Sequence, residues 1–212
     1  TDNKEVARTA EVLVLSVKPQ FYDAVIKEIK ELITETQIIV TIAPGKTLEY
    51  LAGAFEKPVK LVRTMPNTPA LVGEGITGVC RNDLVTKEEL DYICNILSGF
   101  GMAQVLSENL MDVVVSVSGS SPAYVFMLIE AMADGAVADG MPRQQAYQFA
   151  AQAVLGSAKM VLETGKHPGE LKDMVCSPAG TTIEAVRVLE AKGFRSSVIE
   201  AMKACVKKAK GL

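Results

Sequence analysis

Strand-like and helix-like patterns alternate through the first half of this 212-residue chain and stop near its midpoint. Val12–Val17 and Gln37–Ile42 are short apolar runs that predict buried strands, and Gln20–Leu32 carries apolar residues at helical spacing. Further strands are expected at Val59–Met65, Ile76–Cys80 and Met102–Leu106, with helices at 47–55 and 86–97. Thr47 is a possible cap for the first of these helices, and Thr86 with Glu89 fits a capping box for the second. This alternation favours βαβ units on a mostly parallel sheet.

The second half carries no convincing strand pattern. Ser121 and Pro122 predict the N-cap and first position of a long helix, and Pro142 predicts the first position of the next. The other helices are expected at 110–117, 168–175, 181–192 and 194–210. The sequence therefore predicts an α/β domain over residues 1–108 and an all-α domain over 109–212. Several of these helices are apolar on more than one side, which favours burial against a second copy.

Composition excludes several classes of function. The net charge is -3, so the chain has no basic surface of the kind that binds nucleic acid. Four widely spaced cysteines and a single histidine, His167, make a metal site improbable. The cysteines are interpreted as reduced thiols of a cytoplasmic protein. The sequence shows no signal peptide or long uninterrupted apolar span, so no membrane contact is expected.

The first predicted strand lies unusually close to the N-terminus. Val12–Val17 is a continuous apolar run, typical of a central parallel strand that is buried on both faces. A central strand needs a neighbour on each side. The residues that follow must supply both neighbours, or a segment has been lost.

Two glycine-rich stretches resemble phosphate-binding loops but fail on context. Gly73–Gly78 is a literal G-x-G-x-x-G, yet Pro66 and Pro69 precede it and a strand pattern follows it. The dinucleotide fingerprint requires a strand before the glycines and a helix after them. Gly99–Gly101 lacks the third glycine and also leads into a strand. Neither stretch is interpreted as a phosphate loop.

Loops at the carboxyl ends of parallel strands are where α/β sheets bind ligands. Four loops follow predicted strands and are expected to share one edge: Ser16–Pro19, Ala43–Gly45, Met65–Thr68 and Ser107–Glu108. Lys18 is either a contact for a phosphate or ribose or a solvated residue at a helix start. Asn67 lies between two prolines, which also suits simple turn chemistry, and Met65–Pro69 is expected to be irregular. Glu108 either contacts a ligand or favours the N-terminus of the next helix.

A second candidate site lies at Ser177–Thr182. A short helix is expected to end near Cys176, and Thr181 with Glu184 fits a capping box that opens the next helix. The Thr182 hydroxyl then has no obligatory partner. The backbone N–H groups of Gly180 and Thr181 are suited to a carboxylate. An ordinary helix start explains the same residues equally well.

Together these motifs resemble the pyrroline-5-carboxylate reductase family. The blocks that carry the resemblance are Thr1–Glu5 with Val12–Pro19, Met65–Pro69, Ser118–Tyr124, His167–Thr182 and Gly193–Ser196. The resemblance implies NAD(P)H-dependent reduction of 1-pyrroline-5-carboxylate to L-proline. It also implies a Rossmann-type domain followed by a helical dimerisation domain, with homodimers that often assemble into decamers, as a pentamer of dimers.

The resemblance also implies which residues form the site. It places the cofactor, NADPH or NADH, along Asn3, Val17, Lys18, Pro19, Ala43 and Asn67. It places the substrate at Ser177, Gly180, Thr181 and Thr182, with Glu108 and Ser120 nearby. Thr182 is the expected catalytic side chain. Three positions depart from the family pattern: Ser121 and Ala179 stand where glycine is frequent, and Pro44 replaces a small residue.

The family begins with a strand and a glycine-rich turn that these 212 residues do not contain. We therefore expect the Rossmann-type domain to be incomplete at its N-terminus. Two alternatives stay open at this point. The chain could be a catalytically inert dimerisation fragment, or it could belong to another group of Rossmann-plus-helical reductases, such as imine reductases or hydroxyacid dehydrogenases.

Overall fold

The computed structural model describes residues 2–211, which fall into two compact units. The first unit runs as far as Pro122 and includes the C-terminal segment from Met202 onward, and the second is Ala123–Ala201. The sequence places a domain boundary at residue 108, and that position stays a prediction. An α/β unit combined with an all-helical unit confirms the expected fold class.

The first unit is built on a five-stranded sheet of order β1-β2-β3-β4-β5. The strands are β1 (Val12–Leu15), β2 (Ile38–Thr41), β3 (Lys60–Met65), β4 (Gly75–Arg81) and β5 (Gly101–Val105). β1, β2 and β3 are parallel, β4 is antiparallel to β3, and β5 is parallel to β4. The sheet is therefore mixed, and its last two strands run opposite to its first three.

Four α-helices pack around the sheet: α1 (Asn3–Thr9), α2 (Tyr22–Ile29), α3 (Leu48–Phe55) and α4 (Lys87–Leu97). Thr47 caps α3, and Thr86 forms the predicted capping box with Glu89 at the start of α4. α1 was not expected from the sequence; it begins after Asp2, whose side chain accepts a hydrogen bond from the Lys4 N–H. Short 3-10 turns lie at Pro19–Phe21, Lys30–Leu32, Thr68–Val72, Ser98–Phe100 and Glu108–Leu110. The turn at Thr68–Val72 corrects the expectation that the segment after β3 is irregular throughout, because Pro69 suits the first turn of a helix.

The sheet is covered on both faces. On one face α1, α2 and α3 bury a cluster that includes Tyr22, Leu51 and Leu61. On the other face α4 buries a second cluster that includes Val62, Val79 and Ile93. Strands with apolar side chains on both faces account for the continuous apolar runs read from the sequence.

β1 differs from its prediction. It is an edge strand, paired with β2 alone among the described residues, and its burial alternates along its length. Leu13 and Leu15 join the cluster under α2, whereas Val14 faces the other side and is 50% exposed. The prediction of a central strand buried on both faces is therefore wrong. A run of apolar residues does not show whether helices or neighbouring strands cover both faces of the strand.

The helices that follow are α5 (Met111–Val114), a π-helical turn (Val115–Gly119), α6 (Ser121–Ala138), α7 (Arg143–Thr164), α8 (Pro168–Val175), α9 (Thr181–Ala191) and α10 (Phe194–Ala209). Two predicted starts shift by one residue. Ser121 is the first residue of α6 rather than its cap, because the π-helical turn leads almost directly into the helix. Pro142 is the N-cap of α7 and Arg143 its first residue.

Few residues of the second unit are buried within it. α6 buries Ala133, α7 buries Ala146 and Ala150, and large apolar side chains such as Phe149 and Leu162 are exposed. Glu108–Ala138 is long and apolar enough to cross a membrane by these two measures alone. Asp112, Glu130 and Asp134 interrupt this stretch, so it is not a long uninterrupted apolar span. Soluble helices with a buried apolar face meet the same measures.

Candidate active site

Three of the four predicted loops share one edge of the sheet. Because β1, β2 and β3 are parallel, the segments after Leu15, Thr41 and Met65 leave from the same side. The rule does not apply to Ser107–Glu108, because β5 runs antiparallel to β1, β2 and β3 and its carboxyl end points the other way. Val105 nevertheless pairs with Val79, and Val79 pairs with Thr64, so β5 ends level with the end of β3.

Glu108 lies beneath the start of α3 rather than in an open cleft. Its Oε1 accepts a hydrogen bond from the Leu48 N–H at 2.7 Å and pairs with Arg63 Nη1 at 3.0 Å. The Asp112 carboxylate lies 3.5 Å from Arg63 Nη2, and the Arg63 side chain is only 4% exposed. The sequence left two roles open for Glu108, a ligand contact or a contact with a helix N-terminus. In the structure it contacts a helix N-terminus, although the helix is α3 and not the next one along the chain. A contact with the substrate stays a prediction.

The loop after β1 contains Val17, Lys18 and Pro19. Lys18 precedes a 3-10 turn, and its carbonyl accepts a hydrogen bond from the Phe21 N–H at 2.9 Å. Its ammonium group is exposed and has no ion-pair partner within residues 2–211. This arrangement suits a solvated lysine and leaves the cation available to an anionic ligand.

A hydroxyl network supports the same edge and was not anticipated from the sequence. The buried Tyr22 hydroxyl donates to the Leu15 carbonyl at 2.8 Å and lies 2.7 Å from Thr41 Oγ1. The Thr64 hydroxyl donates to the Thr41 carbonyl at 2.8 Å, and the N–H of the buried Ala43 points to Thr41 Oγ1 at 3.4 Å. The available sequence signal was a threonine at the end of an otherwise apolar strand.

Asn67 is held at both ends of its amide. Its Nδ2 donates to the Ser118 carbonyl at 3.1 Å, and its Oδ1 accepts from the Ile76 N–H at 2.9 Å. These bonds join the turn after β3 to the start of β4 and to the π-helical turn. Asn67 therefore fixes the shape of its loop, and a direct contact with cofactor stays a prediction.

An apolar groove of about 790 Å3 follows the α4 side of the sheet. Val14 and Val40 line it at one end, and Asn67 and Thr68 are among its other lining residues. This volume lies within the range of about 300–1,000 Å3 that is common for small-molecule sites. The groove thus brings the turn after β3 together with an uncovered part of the sheet.

Asn3 and Ser120 are engaged elsewhere in the first unit. Asn3, the first residue of α1, donates from Nδ2 to Glu28 Oε2 of α2 at 3.0 Å. Ser120 Oγ lies 3.2 Å from Cys205 Sγ. The proposed roles of these two residues in cofactor and substrate binding therefore stay predictions.

The Ser177–Thr182 segment forms a tight turn in the second unit, between α8 and α9. Cys176 ends α8 as expected, and the Gly180 N–H donates to the Ser177 carbonyl at 3.0 Å. Ala179 adopts a left-handed conformation with φ of 56°. The sharp turn delivers Gly180 in an extended conformation at the start of α9.

The predicted capping box in this segment is wrong. Gly180, not Thr181, is the N-cap of α9, and no side chain caps the helix. Glu184 pairs with Arg187 at 2.9 Å instead of reaching back to the helix start. The first N–H groups of α9 are therefore free of a side-chain acceptor, as a carboxylate-binding helix end requires. Thr182 is half-buried, and its hydroxyl has no hydrogen-bond partner among the described residues.

These features define a class of protein. A sheet with α-helices on both faces, loops at the carboxyl ends of its parallel strands and an all-helical second half is the architecture of Rossmann-type oxidoreductases. The chain is 58% identical to pyrroline-5-carboxylate reductase of Escherichia coli (strain K12) over 209 residues, which is 99% of this chain and 78% of that protein. The chain therefore belongs to the pyrroline-5-carboxylate reductase family.

Further comparisons agree with this assignment. Residues 108–212 match the family model for pyrroline-5-carboxylate reductase dimerisation, and residues 1–45 match a model described as NADP oxidoreductase, coenzyme F420-dependent. Pyrroline-5-carboxylate reductase of Methanosarcina acetivorans is 46% identical over 202 residues, covering 95% of this chain and 75% of that protein. A crystal structure of pyrroline carboxylate reductase from Plasmodium falciparum with NADP bound is 32% identical with a TM-score of 0.93, covering 100% of this chain and 80% of that one.

Proposed function

We propose that this chain catalyses the NAD(P)H-dependent reduction of 1-pyrroline-5-carboxylate to L-proline, the final step of proline biosynthesis. The observation that carries the proposal is 58% identity to a named reductase along 99% of the chain. The activity is that of an oxidoreductase acting on a C=N bond. Other Rossmann-plus-helical reductases are a weaker alternative, since the sequence motifs at Ser118–Tyr124, His167–Thr182 and Gly193–Ser196 lie within the match to the pyrroline-5-carboxylate reductase dimerisation model.

The carboxyl edge of β1, β2 and β3 fits a nicotinamide dinucleotide. Lys18 offers an exposed cation for a phosphate, and Gly45 leaves the second loop open to close approach beside the buried Ala43. Pro44 supplies no N–H to this loop. Val17, Pro19 and Asn67 complete the proposed contact surface, with Asn3 toward the adenosine side. The bound dinucleotide supplies the hydride, and the protein supplies position and electrostatics.

The substrate carboxylate is proposed to bind at the start of α9. The free N–H group of Thr181 would donate to it, beside the Gly180 N–H that already donates to the Ser177 carbonyl, and the partial positive charge of an 11-residue helix favours an anion there. Ser177 lines the same turn. The half-buried Thr182 hydroxyl would then donate a hydrogen bond toward the ring nitrogen, which orients the imine and makes its carbon more electrophilic. A threonine hydroxyl is a weak acid, so the proton comes from water or from substrate that is already protonated.

Removal of the Thr182 hydroxyl tests this role. Thr182→Val preserves the shape of the side chain and should lower kcat/KM roughly 5- to 150-fold. This corresponds to a loss of about 1–3 kcal/mol in transition-state stabilisation. Thr182→Ser keeps a hydroxyl and should recover most of the activity. Thr181→Val is the matched control, because it removes a neighbouring exposed hydroxyl and leaves the backbone donors in place. A Thr182→Val enzyme with wild-type kcat/KM would refute the assignment.

The helical half is proposed to form a homodimer, and five dimers a decamer. The exposure of Phe149, Leu155 and Leu162 supports this, because a monomer would leave these side chains in water. Light scattering after size-exclusion chromatography measures the mass directly. A monomer at micromolar concentration would contradict the proposal. A cytoplasmic location is also proposed, and cell fractionation tests it.

A catalytically inert scaffold is the second candidate, and one observation favours it. β1 is an edge strand with Val14 half exposed, beside the loop that would hold the cofactor. A fluorescence titration with NADPH separates the two possibilities. Binding in the micromolar range supports the reductase, whereas no binding at millimolar NADPH supports the scaffold.

A further inference from the structure

The first unit contains a buried cation that the reaction as described does not use. Arg63 lies on β3 with a side chain that is 4% exposed. Its Nη1 is 3.0 Å from Glu108 Oε1, and its Nη2 is 3.5 Å from Asp112 Oδ1. A buried guanidinium is strongly unfavourable unless acidic partners compensate for its lost hydration, so these two carboxylates are required to keep Arg63 where it is.

Glu108 connects this cation to a helix start. The same Oε1 that pairs with Arg63 accepts a hydrogen bond from the Leu48 N–H at 2.7 Å. Leu48 is the first residue of α3, and Thr47 already provides the usual cap by accepting from the Tyr50 N–H at 3.1 Å. The N-terminus of α3 thus has two acceptors, one local and one contributed from 60 residues further along the chain. A carboxylate at this end of a helix is also favoured by the helix dipole.

The segment held by these contacts is the loop between β2 and α3. Its first part is fixed by Thr41, whose Oγ1 lies 3.4 Å from the Ala43 N–H, and its end is fixed at Leu48 by Glu108. The loop leaves the carboxyl edge of three parallel strands, where α/β sheets bind their ligands. We propose that Arg63 is a positioning residue for the dinucleotide: by orienting Glu108, it holds the Ala43–Thr47 loop in the shape that contacts the cofactor. The inference rests on the proposed function, and it assigns Glu108 to the cofactor loop instead of the substrate.

Cofactor binding without turnover tests this assignment. We would measure the Kd of NADPH by fluorescence, KM for both substrates, and the melting temperature for Arg63→Met, Arg63→Lys, Glu108→Gln and the double variant Arg63→Met/Glu108→Gln. Arg63→Met and Glu108→Gln should each raise the Kd and KM for NADPH about tenfold, the scale of one lost charge-assisted hydrogen bond, and leave KM for 1-pyrroline-5-carboxylate unchanged. The double variant should be no weaker than the worse single variant, and Arg63→Lys should recover part of the affinity.

A second ion pair on β3 provides the matched control. Lys60 at the other end of the strand pairs with Glu89, and both side chains are partly buried. Lys60→Met should lower the melting temperature without changing NADPH affinity. If Arg63→Met fails to fold, the nearly isosteric Glu108→Gln decides the question alone.

Three outcomes would overturn the proposal. A raised KM for 1-pyrroline-5-carboxylate with unchanged NADPH affinity in Glu108→Gln would make Glu108 a substrate ligand. A lower melting temperature with both KM values unchanged would make the cluster purely structural. The Kd of NADPH is measured without substrate, so it reports on the positioning role independently of reductase activity. If the wild-type chain binds NADPH but has no reductase activity, the proposed function is refuted and the Kd values of the variants still test the positioning role. Absence of NADPH binding by the wild-type chain would overturn the inference as well.

Discussion

Ala179 carries backbone strain in the turn before α9, and its replacement by glycine should stabilise the protein. The residue has φ of 56°, in the left-handed region that side chains with a Cβ atom disfavour. It lies two residues before α9, between Pro178 and the N-cap residue Gly180. Glycine at this position would adopt the same turn without the steric conflict of Cβ.

Two opposing terms set the size of the effect. A left-handed conformation costs an L-residue about 1–2 kcal/mol. Glycine has the more flexible unfolded chain, which offsets about 0.4–1 kcal/mol of that gain. The midpoints of these two ranges leave a net stabilisation of about 0.8 kcal/mol for Ala179→Gly. In a protein of this length, about 2–4 °C in melting temperature corresponds to each kcal/mol, so the rise should be about 2–3 °C.

Urea denaturation and thermal melting measure this difference, and Glu56 offers an internal control. Glu56 has the same φ of 56° at the end of α3, but its carboxylate also pairs with Lys30. Glu56→Gly relieves strain and removes that pair, so its net gain should be smaller than that of Ala179→Gly. Ala179→Val should destabilise, because a β-branched side chain tolerates this conformation less well than alanine. Ala179→Gly with unchanged or reduced stability would refute the strain argument.

Two further predictions concern buried groups of the first unit. Tyr22→Phe should lower the free energy of unfolding by about 1–3 kcal/mol, because it removes the Tyr22 partner of the buried Leu15 carbonyl and Thr41 hydroxyl. In urea denaturation, the double variant Tyr22→Phe/Thr41→Val should lose less stability than the sum of the two single variants. A loss equal to that sum would contradict the network. Burial, together with the nearby Glu108 charge, raises the pKa of the Cys80 thiol from 9.0 to about 11. As the pH rises, the thiol therefore loses its proton in the unfolded chain before it does so in the folded protein. The free energy of unfolding should fall between about pH 9 and pH 11 for this reason. Cys80→Ala should reduce that alkaline loss by about 2 kcal/mol in denaturation curves taken at both ends of this range, and an identical pH dependence in the variant would show that Cys80 does not cause it.

Much of the fold follows from local patterns. Helix caps such as Thr47 and the Thr86–Glu89 box were predicted correctly, because a cap is decided by residues within one turn of the helix start. The strands were predicted to within two residues at their ends. The rejection of Gly73–Gly78 as a phosphate loop is also confirmed, since Gly73 ends a 3-10 turn and a strand begins at Gly75.

Strand direction was harder to read. The alternating pattern favoured a mostly parallel sheet, and it holds for three of the four strand pairs, but β4 is antiparallel to β3. A usable signal was present in the length of the connection. Only nine residues, 66–74, separate the two strands, whereas a parallel crossover usually needs a dozen or more. The unpredicted α1 and the exposed Val14 show a related limit, because burial depends on layers that the local pattern does not specify.

The proposed substrate site and the proposed cofactor site were predictable to different degrees, and the reason is the distance along the chain between partners. The start of α9 is made by consecutive residues, so the free Thr182 hydroxyl could be inferred from the turn that precedes it. The predicted capping box placed the N-cap one residue too late and missed that no side chain caps the helix. Glu108 has partners 45 and 60 residues away, at Arg63 and Leu48. Glu108 lies near the carboxyl edge of β3 because of how β5 is aligned with β4 and β3. The rule about carboxyl ends of parallel strands does not apply to β5, which is antiparallel to β3. Both partners lie on other elements, β3 and α3, so the sequence pattern does not decide whether Glu108 contacts a ligand or supports the loop. The NADPH and substrate affinities of Glu108→Gln make that assignment.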